Sequence, residues 1–170
     1  MRVTVVPGKL KGKVNAPPSK SYAHRIMICS ALSESESKIT GICESDDMLA
    51  TSDCLKALGA ELKKDNEKLI ITPAKPKILK NTIFNCRESG STLRFFIPIA
   101  LAFGGDMTFC GTKRLMERGI GIYEDLFVPR GIKITKSETE ISLSGKLDCG
   151  EFTLPGNVSS QYITGLLIAL

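Results

Sequence analysis

One twelve-residue pattern occurs three times along this chain at a constant interval, and it restricts the fold more than any other feature. The copies run from Ser21 to Leu32, from Gly90 to Leu101 and from Ser159 to Leu170, each 69 residues after the last. In every copy small polar residues lead into an apolar run that closes on Ala-Leu. A short apolar stretch precedes each one, around Val14, Ile83 and Phe152. A strand, a loop of small residues and a helix in that order leave unpaired backbone N–H groups at the helix start, where an anion can sit. A chain that builds this arrangement three times is suited to phosphates or carboxylates.

The segments between the copies extend the pattern. After its first helix, the first copy continues through Glu44-Ser-Asp-Asp47 into Met48, Leu49, Cys54, Leu55 and Leu58 at helical spacing, and Gly59 is a C-terminal stop. Two strand-like pieces, Glu61–Lys63 and Lys68–Thr72, flank a turn at Asp65-Asn66. The second copy repeats the plan with a helix over Ile120–Phe127, a stop at Gly131 and strands at Ile132–Thr135 and Glu140–Leu143.

Each unit therefore reads β-α-β-α-β-β, and the fold class is α/β (α+β) with two units and the start of a third. The expected divisions are an N-terminal strand segment at 1–13 carrying Val3–Val6, unit one at 14–82, unit two at 83–151 and unit three at 152–170. The last helix closes on Leu-Ile-Ala-Leu without a capping residue, which gives the expectation of a truncated chain. Pro98 inside the second apolar run removes a helical hydrogen bond, at ~3 kcal/mol unless the helix kinks or starts late. Pro129 is expected to end its helix early.

Composition narrows the function classes. Hydrophobic residues make up 42% and charged residues 24%, with a net charge of +5, which suits a globular domain with acidic small-molecule ligands. There is no Trp, and no basic block interleaves with aromatics, so nucleic acid is not the expected partner. Six cysteines without a C-x-x-C pair, beside a single His, predict no zinc site and reduced core thiols. No leader precedes Val3–Val6 and no run reaches membrane-spanning length, which points to a cytoplasmic protein with no membrane partner.

The chemistry concentrates at the starts of the three copies. Pro18-Ser-Lys-Ser-Tyr-Ala-His-Arg25 sets Lys20, Ser21 and Arg25 around one helix tip, Ser21 and Arg25 sharing a face. Charge-assisted hydrogen bonds there are worth ~1.5–3 kcal/mol each; the alternative is an ordinary helix start with solvated cations. Arg94 takes the place of Arg25 in the second copy, after a Glu88-Ser-Gly-Ser-Thr92 loop in which Gly90 either admits a ligand to the backbone or merely turns the chain. Arg114 and Arg118 form either an anion grip or a solvated basic turn, and Ser159-Ser-Gln161 offers neutral donors. His24 reads as a packed helix residue, not a catalyst.

In these segments the chain resembles the 5-enolpyruvylshikimate-3-phosphate synthase family. The matching blocks are Pro-Ser-Lys-Ser-x-x-x-Arg at 18–25, Ser-Asp-Asp at 45–47 with Ala-Leu-Gly at 57–59, Ser-Gly-Ser-Thr-x-Arg at 89–94, Glu-Arg-x-Ile-Gly at 117–121 and Ser-Ser-Gln at 159–161. The resemblance spans the whole chain but less than half of a family member. It implies one domain of a two-domain inside-out α/β barrel, and transfer of the enolpyruvyl group of phosphoenolpyruvate to the 5-hydroxyl of shikimate 3-phosphate, without a cofactor or metal. It further implies that Lys20 touches both substrates and is the catalytic residue of this half, while Ser21 and Arg25 hold shikimate 3-phosphate. Gly90 and Arg118 bind phosphoenolpyruvate, Ser159 and Ser160 hold the shikimate phosphate, and Gln161 lies between the ligands. Arg94, Ser91 and Asp47 are further candidates, and the full-length enzyme is expected to be monomeric.

The chain departs from the family at Glu88, Ser91 and Gly119, and the family's acid/base carboxylates and lysine belong to the other half. The fragment alone is therefore expected to be inactive. Two alternatives stand beside this reading. One is a noncatalytic anion- or RNA-binding module on the same repeat. The other is the sister UDP-sugar enolpyruvyl transferase, whose nucleotide-binding residues and reactive-cysteine loop are not found here.

Overall fold

A computed structural model of the chain describes residues 3–9, 11–75 and 77–170. Helix α1 (Lys20–Ala31), strand β1 (Ser37–Thr40), helix α2 (Asp46–Ala57) and the hairpin β2 (Glu61–Asp65) and β3 (Lys68–Thr72) come first. Strand β4 (Leu79–Arg87), helix α3 (Gly90–Phe103), strand β5 (Gly105–Gly111) and the short helix α4 (Lys113–Glu117) follow. Next are helix α5 (Gly121–Phe127), a 3₁₀ turn (Val128–Arg130), strands β6 (Lys133–Lys136) and β7 (Glu140–Gly145), and helix α6 (Ser160–Ala169). The mixed α/β class and its repetition agree with the sequence.

The strands form two sheets that share one order. β1-β3-β2 is antiparallel throughout, and β4-β5-β7-β6 repeats that order with β4 added parallel to β5. Unit one has no counterpart of β4 among the described residues. The stretch around Val14 is irregular and exposed, as are Val3–Val6, and no strand forms around Phe152. The reason is local: Pro17-Pro18 and Pro155-Gly156 follow those positions, and proline cannot donate to a ladder. Residues 1, 2 and 10 of the N-terminal segment lie outside the described residues.

Each sheet buries one face. In β4 Phe84 and Cys86 are buried while Ile83 and Asn85 are exposed, the two-residue alternation of a half-covered strand. The Phe84 and Phe109 rings stack 4.8 Å apart on this face, beneath α2 and α3. α3 is buried along most of its length, because it meets α6 on one side and α1, α2 and the four-stranded sheet on the others. That explains why its sequence is apolar all round instead of striped.

Pro98 neither stops nor delays α3, which runs on to Phe103. The proline has no N–H for the Arg94 carbonyl four residues earlier, and the Tyr123 hydroxyl donates to that oxygen instead at 2.7 Å. Burial pushes the Tyr123 phenol well above its ordinary value, so it remains a donor. Gly165 of α6 packs over the same spot. A Cβ there would lie 2.5 Å from the Arg94 oxygen and 2.5 Å from the Tyr123 hydroxyl. Pro129 sits in the 3₁₀ turn after α5, and Gly131 closes that turn at φ 81°.

Candidate functional site

Serines cap the three long helices that begin the repeated segments. Ser19, Ser89 and Ser159 accept from the backbone N–H groups of Tyr22, Thr92 and Gln161. The caps fall at steps of 70 residues, one more than the interval read from the apolar runs, because the runs align at their Ala-Leu ends and the helices differ in length. Counted from the caps, Arg94 corresponds to His24 and Arg25 to Phe95. The sequence reading that set Arg94 in the place of Arg25 is corrected accordingly.

Side chains tie the helix starts into a ring. Lys20 Nζ meets Asp47 Oδ2 at 2.5 Å, linking α1 to α2. The Thr51 and Thr92 hydroxyls, 2.9 Å apart, link α2 to α3. Gln161 accepts from Arg94 Nη1 at 2.8 Å and donates to Ser91 Oγ at 2.7 Å, which links α3 to α6. Arg25 Nη2 donates to Thr164 Oγ1 at 3.0 Å and closes the ring back to α1. Arg25 also donates to the Ser21 carbonyl and lies over the Phe95 ring. Arg118, at the end of α4, covers Gly90 so closely that a Cβ there would stand 2.8 Å from its Nη1.

The positions singled out in the sequence lie on α1, at the start of α2, on α3, at the end of α4 and at the start of α6. Lys20, Ser21, Ser160 and Arg118 are exposed, Ser91, Ser159, Gln161, Arg25 and Asp47 half-buried, and Arg94 and Gly90 buried. Two concavities, of about 420 and 430 Å3, lie away from these residues. Glu88 turns its carboxylate to Arg114 at 3.2 Å. Gly119 adopts φ 65°, which proline cannot reach.

Charge is unbalanced at this surface. Burial raises the Asp47 carboxyl, but the Lys20 hydrogen bond, the neighbouring Ser89 hydroxyl and the Lys20 charge outweigh it and hold the group below its ordinary value. Arg25, Arg94 and Arg118 have no carboxylate within salt-bridge distance among the described residues. Arg94 is buried with its Nε unpaired and its guanidinium over the Tyr162 ring. A buried guanidinium beside helix N-termini, with neutral neighbours only, is the electrostatic complement of an anion. No group of three or more His, Cys, Asp or Glu able to hold a metal occurs among the described residues.

His24 is fully buried, donating or accepting at Nδ1 against Thr51 Oγ1 at 2.7 Å. Burial lowers its pKa to about 4; Lys20 and Arg25 push the same way and Asp47 opposes them. The expectation of core cysteines holds for Cys54 and Cys86, whereas Cys110 is half-buried and Cys29, Cys43 and Cys149 are exposed. Cys29 lies on the outer face of α1 with Tyr22, and the other two lie in loops, where small size gives no claim on the core. The sequence reading passed over Ser89, Thr92, Thr51 and Thr164. The first carried a legible signal, a serine directly ahead of an apolar helix; the threonines show their role only once α1, α2, α3 and α6 are packed together.

The sequence profile of EPSP synthase (3-phosphoshikimate 1-carboxyvinyltransferase) matches residues 5–170. The 3-phosphoshikimate 1-carboxyvinyltransferase of Clostridium botulinum is 43% identical over 173 residues, covering 98% of this chain and 40% of that protein. Its Clostridium kluyveri counterpart is 42% identical over 170 residues, covering 99% and 40%. The chain therefore spans about 40% of the length of these curated relatives. The EPSP synthase structure from Acinetobacter baumannii shares the fold at TM-score 0.75 and 24% identity, covering 93% of this chain and 37% of its own. The enolpyruvyl transferase NikO from Streptomyces tendae shares it at TM-score 0.55 and 17% identity, covering 86% and 35%. No helix among the described residues is long and apolar enough to cross a membrane. With its repeated helix tips, its cation-rich surface and a family match over nearly its whole length, the chain belongs to the EPSP synthase family.

Proposed function

We propose that this chain supplies one wall of an active site that transfers the enolpyruvyl group of phosphoenolpyruvate to the 5-hydroxyl of shikimate 3-phosphate. The shikimate oxygen bonds to the enol carbon, the carbon–oxygen bond to phosphate breaks, and inorganic phosphate leaves with the hydroxyl proton transferred to the site's bases or to water. One observation carries the reading: Arg25, Arg94 and Arg118, without carboxylate partners among the described residues, surround serine-capped helix starts that touch one another. Two anionic substrates repel, and a cationic surface that fixes both lowers that repulsion and aligns the attacking oxygen.

Within this wall Lys20 reaches both substrates, and Ser21 and Arg25 hold the shikimate ester. Ser159 and Ser160 take its phosphate on the N–H groups of α6. Gly90 and Arg118 receive phosphoenolpyruvate, and Gln161 lies between the ligands, held by Arg94 and Ser91. Asp47 holds Lys20 when no substrate is present. The remaining groups, among them the acid and base, come from the part of the relatives that this chain does not span, so the chain alone binds without turning over. In the whole enzyme the proposed setting is a cytoplasmic monomer of aromatic amino-acid biosynthesis.

Calorimetric titration tests this. Shikimate 3-phosphate binds the chain with Kd on the order of 0.1–1 mM, unphosphorylated shikimate binds at least about tenfold more weakly, and Lys20→Met weakens binding of the ester. Because the exposed Lys20–Asp47 pair contributes under ~1 kcal/mol, the Lys20→Met chain keeps its stability. Equal binding of the ester and free shikimate overturns the proposal.

A further inference from the structure

Gln161 stands between two partners that settle which way round its amide lies. Arg94 Nη1 is 2.8 Å from Gln161 Oε1, and Gln161 Nε2 is 2.7 Å from Ser91 Oγ. A guanidinium carries donors alone, so it can meet the amide only at the oxygen. The amide nitrogen is thereby turned to Ser91. An amide nitrogen donates and does not accept, so the Ser91 oxygen receives that hydrogen and the serine keeps its own proton out of the pair. Exchanging the ends of the amide would set two donors face to face beside a buried cation.

Arg94 is suited to hold this order. It is 8% exposed, its guanidinium lies 5.1 Å from the centroid of the Tyr162 ring, and its carbonyl is held by the Tyr123 hydroxyl. Its Nε has no partner, and among the described residues no carboxylate stands within salt-bridge distance to draw Nη1 away from Gln161.

What the pair leaves over is a set of donors. Among the described residues the Ser91 hydroxyl proton has no acceptor, and neither has the second Nε2 hydrogen of Gln161. The Gly90 and Ser91 N–H groups belong to the first turn of α3, where no carbonyl lies four residues back in the helix. Arg118 closes over Gly90, and the nearby Glu88 carboxylate is turned to Arg114. We infer that Arg94 is a positioning residue that orients the Gln161 amide, and that the Ser91 hydroxyl proton left free by this order is a ligand donor for an ionised carboxylate or phosphate. Such a group only accepts, and so matches a corner whose free hydrogens belong to Ser91, Gln161, Gly90 and Arg118. The identity of that anion as phosphoenolpyruvate rests on the functional reading above; the order of the hydrogen bonds does not.

NMR of the ligand-free chain reads the orientation. The Gln161 side-chain NH2 protons are expected to show their strongest nuclear Overhauser contacts to the Ser91 β-protons, both in the wild type and in Arg94→Lys, which still only donates. Arg94→Met, with no donor, loses that preference. Strongest contacts to the guanidinium in the wild type, or an unchanged pattern in Arg94→Met, overturn the positioning role. If Arg94→Met does not fold, Arg94→Gln takes its place. Its side chain accepts as well as donates, so averaged contacts are expected and a wild-type pattern contradicts the role. Phosphoenolpyruvate is then titrated while the Gly90 amide is followed. Ser91→Ala weakens binding about tenfold, and Ser91→Thr, which keeps the hydroxyl, restores it to within about threefold. Undiminished affinity in Ser91→Ala overturns the donor role. Inorganic phosphate is the parallel probe. If it shows the Ser91 difference while phosphoenolpyruvate fails to bind, the functional reading falls and the subsite stands; if neither anion moves the Gly90 amide, the subsite is refuted.

Discussion

Gly165→Ala introduces one methyl group where α6 crosses α3, and the structure gives it nowhere to go. The new carbon stands 2.5 Å from the Arg94 carbonyl oxygen, 2.5 Å from the Tyr123 hydroxyl and 3.0 Å from Pro98 Cγ. Ordinary contact requires ~3.5 Å, so α6 must retreat by about 1 Å. None of the three atoms yields easily. The carbonyl belongs to a buried helix, the proline is fixed in it, and the Tyr123 ring is stacked on Phe127 at 5.0 Å and edge-on to Tyr162 at 4.8 Å. Overpacking costs ~1–3 kcal/mol and disturbance of the Tyr123 bond to the Arg94 carbonyl ~0.5–1.5. Better helix propensity returns only ~0.5–1. A net destabilisation of about 1–3 kcal/mol follows, read as a lower urea midpoint at unchanged slope. The same retreat stretches the Gln161–Arg94 and Thr164–Arg25 bonds, so shikimate 3-phosphate binding falls with stability. Tyr123→Phe removes one of the clashing atoms, and the double variant is therefore less damaged than the sum of the singles, by at least ~0.5 kcal/mol. Wild-type stability in Gly165→Ala, or strict additivity with Tyr123→Phe, refutes the reasoning.

The remaining predictions involve single groups. Gly90→Ala meets the flexible end of Arg118 at 2.8 Å, so stability stays within about 0.5 kcal/mol of wild type while the guanidinium moves by roughly 0.7 Å. Titration should show phosphoenolpyruvate affinity falling more than shikimate 3-phosphate affinity, and equal losses would count against Gly90 as a contact. His24 has a folded pKa of about 4, below the unfolded value of 6.5, so the unfolded chain binds the extra proton between those values. Stability is complete above pH 6.5 and declines by about 3 kcal/mol as pH falls to 4; denaturant midpoints across that range should show the loss, and His24→Asn should remove it. Thiol titration of the folded chain should find Cys29, Cys43 and Cys149 reactive within minutes and Cys54 and Cys86 silent until unfolding. Burial and the neighbouring Cys86 raise the Cys54 thiol well above its ordinary value, which reinforces its silence.

The repeat, the helix tips and the residues that stand on them were legible because they depend on local chemistry. A serine ahead of an apolar run, Gly59 and Gly131 after helices, and Asn66 with φ 53° in the β2–β3 turn all act within a few residues. What escaped depends on packing. Pro98 reads as a break until Tyr123, 25 positions later in sequence, is seen to replace the lost donor. Val14 and Phe152 share apolarity and spacing with Ile83, but only Ile83 has a neighbouring strand, and prolines follow the other two. The register of Arg94 against Arg25 slipped by one because apolar runs mark helix interiors, whereas caps mark their starts. Thr51 and Thr92 read as unremarkable helical threonines, and only the meeting of α1, α2 and α3 makes them consecutive links.

The central claim is that the three serine-capped helix starts face one shared anion site. Backbone amide shifts recorded while shikimate 3-phosphate is titrated into the chain test it most directly. The account predicts that the largest shifts fall together at Ser19–Ser21, Ser89–Ser91 and Ser159–Gln161, saturate with one Kd, and are not reproduced by unphosphorylated shikimate at the same concentration. Shifts confined to one helix start, or separate saturation at each, would contradict it.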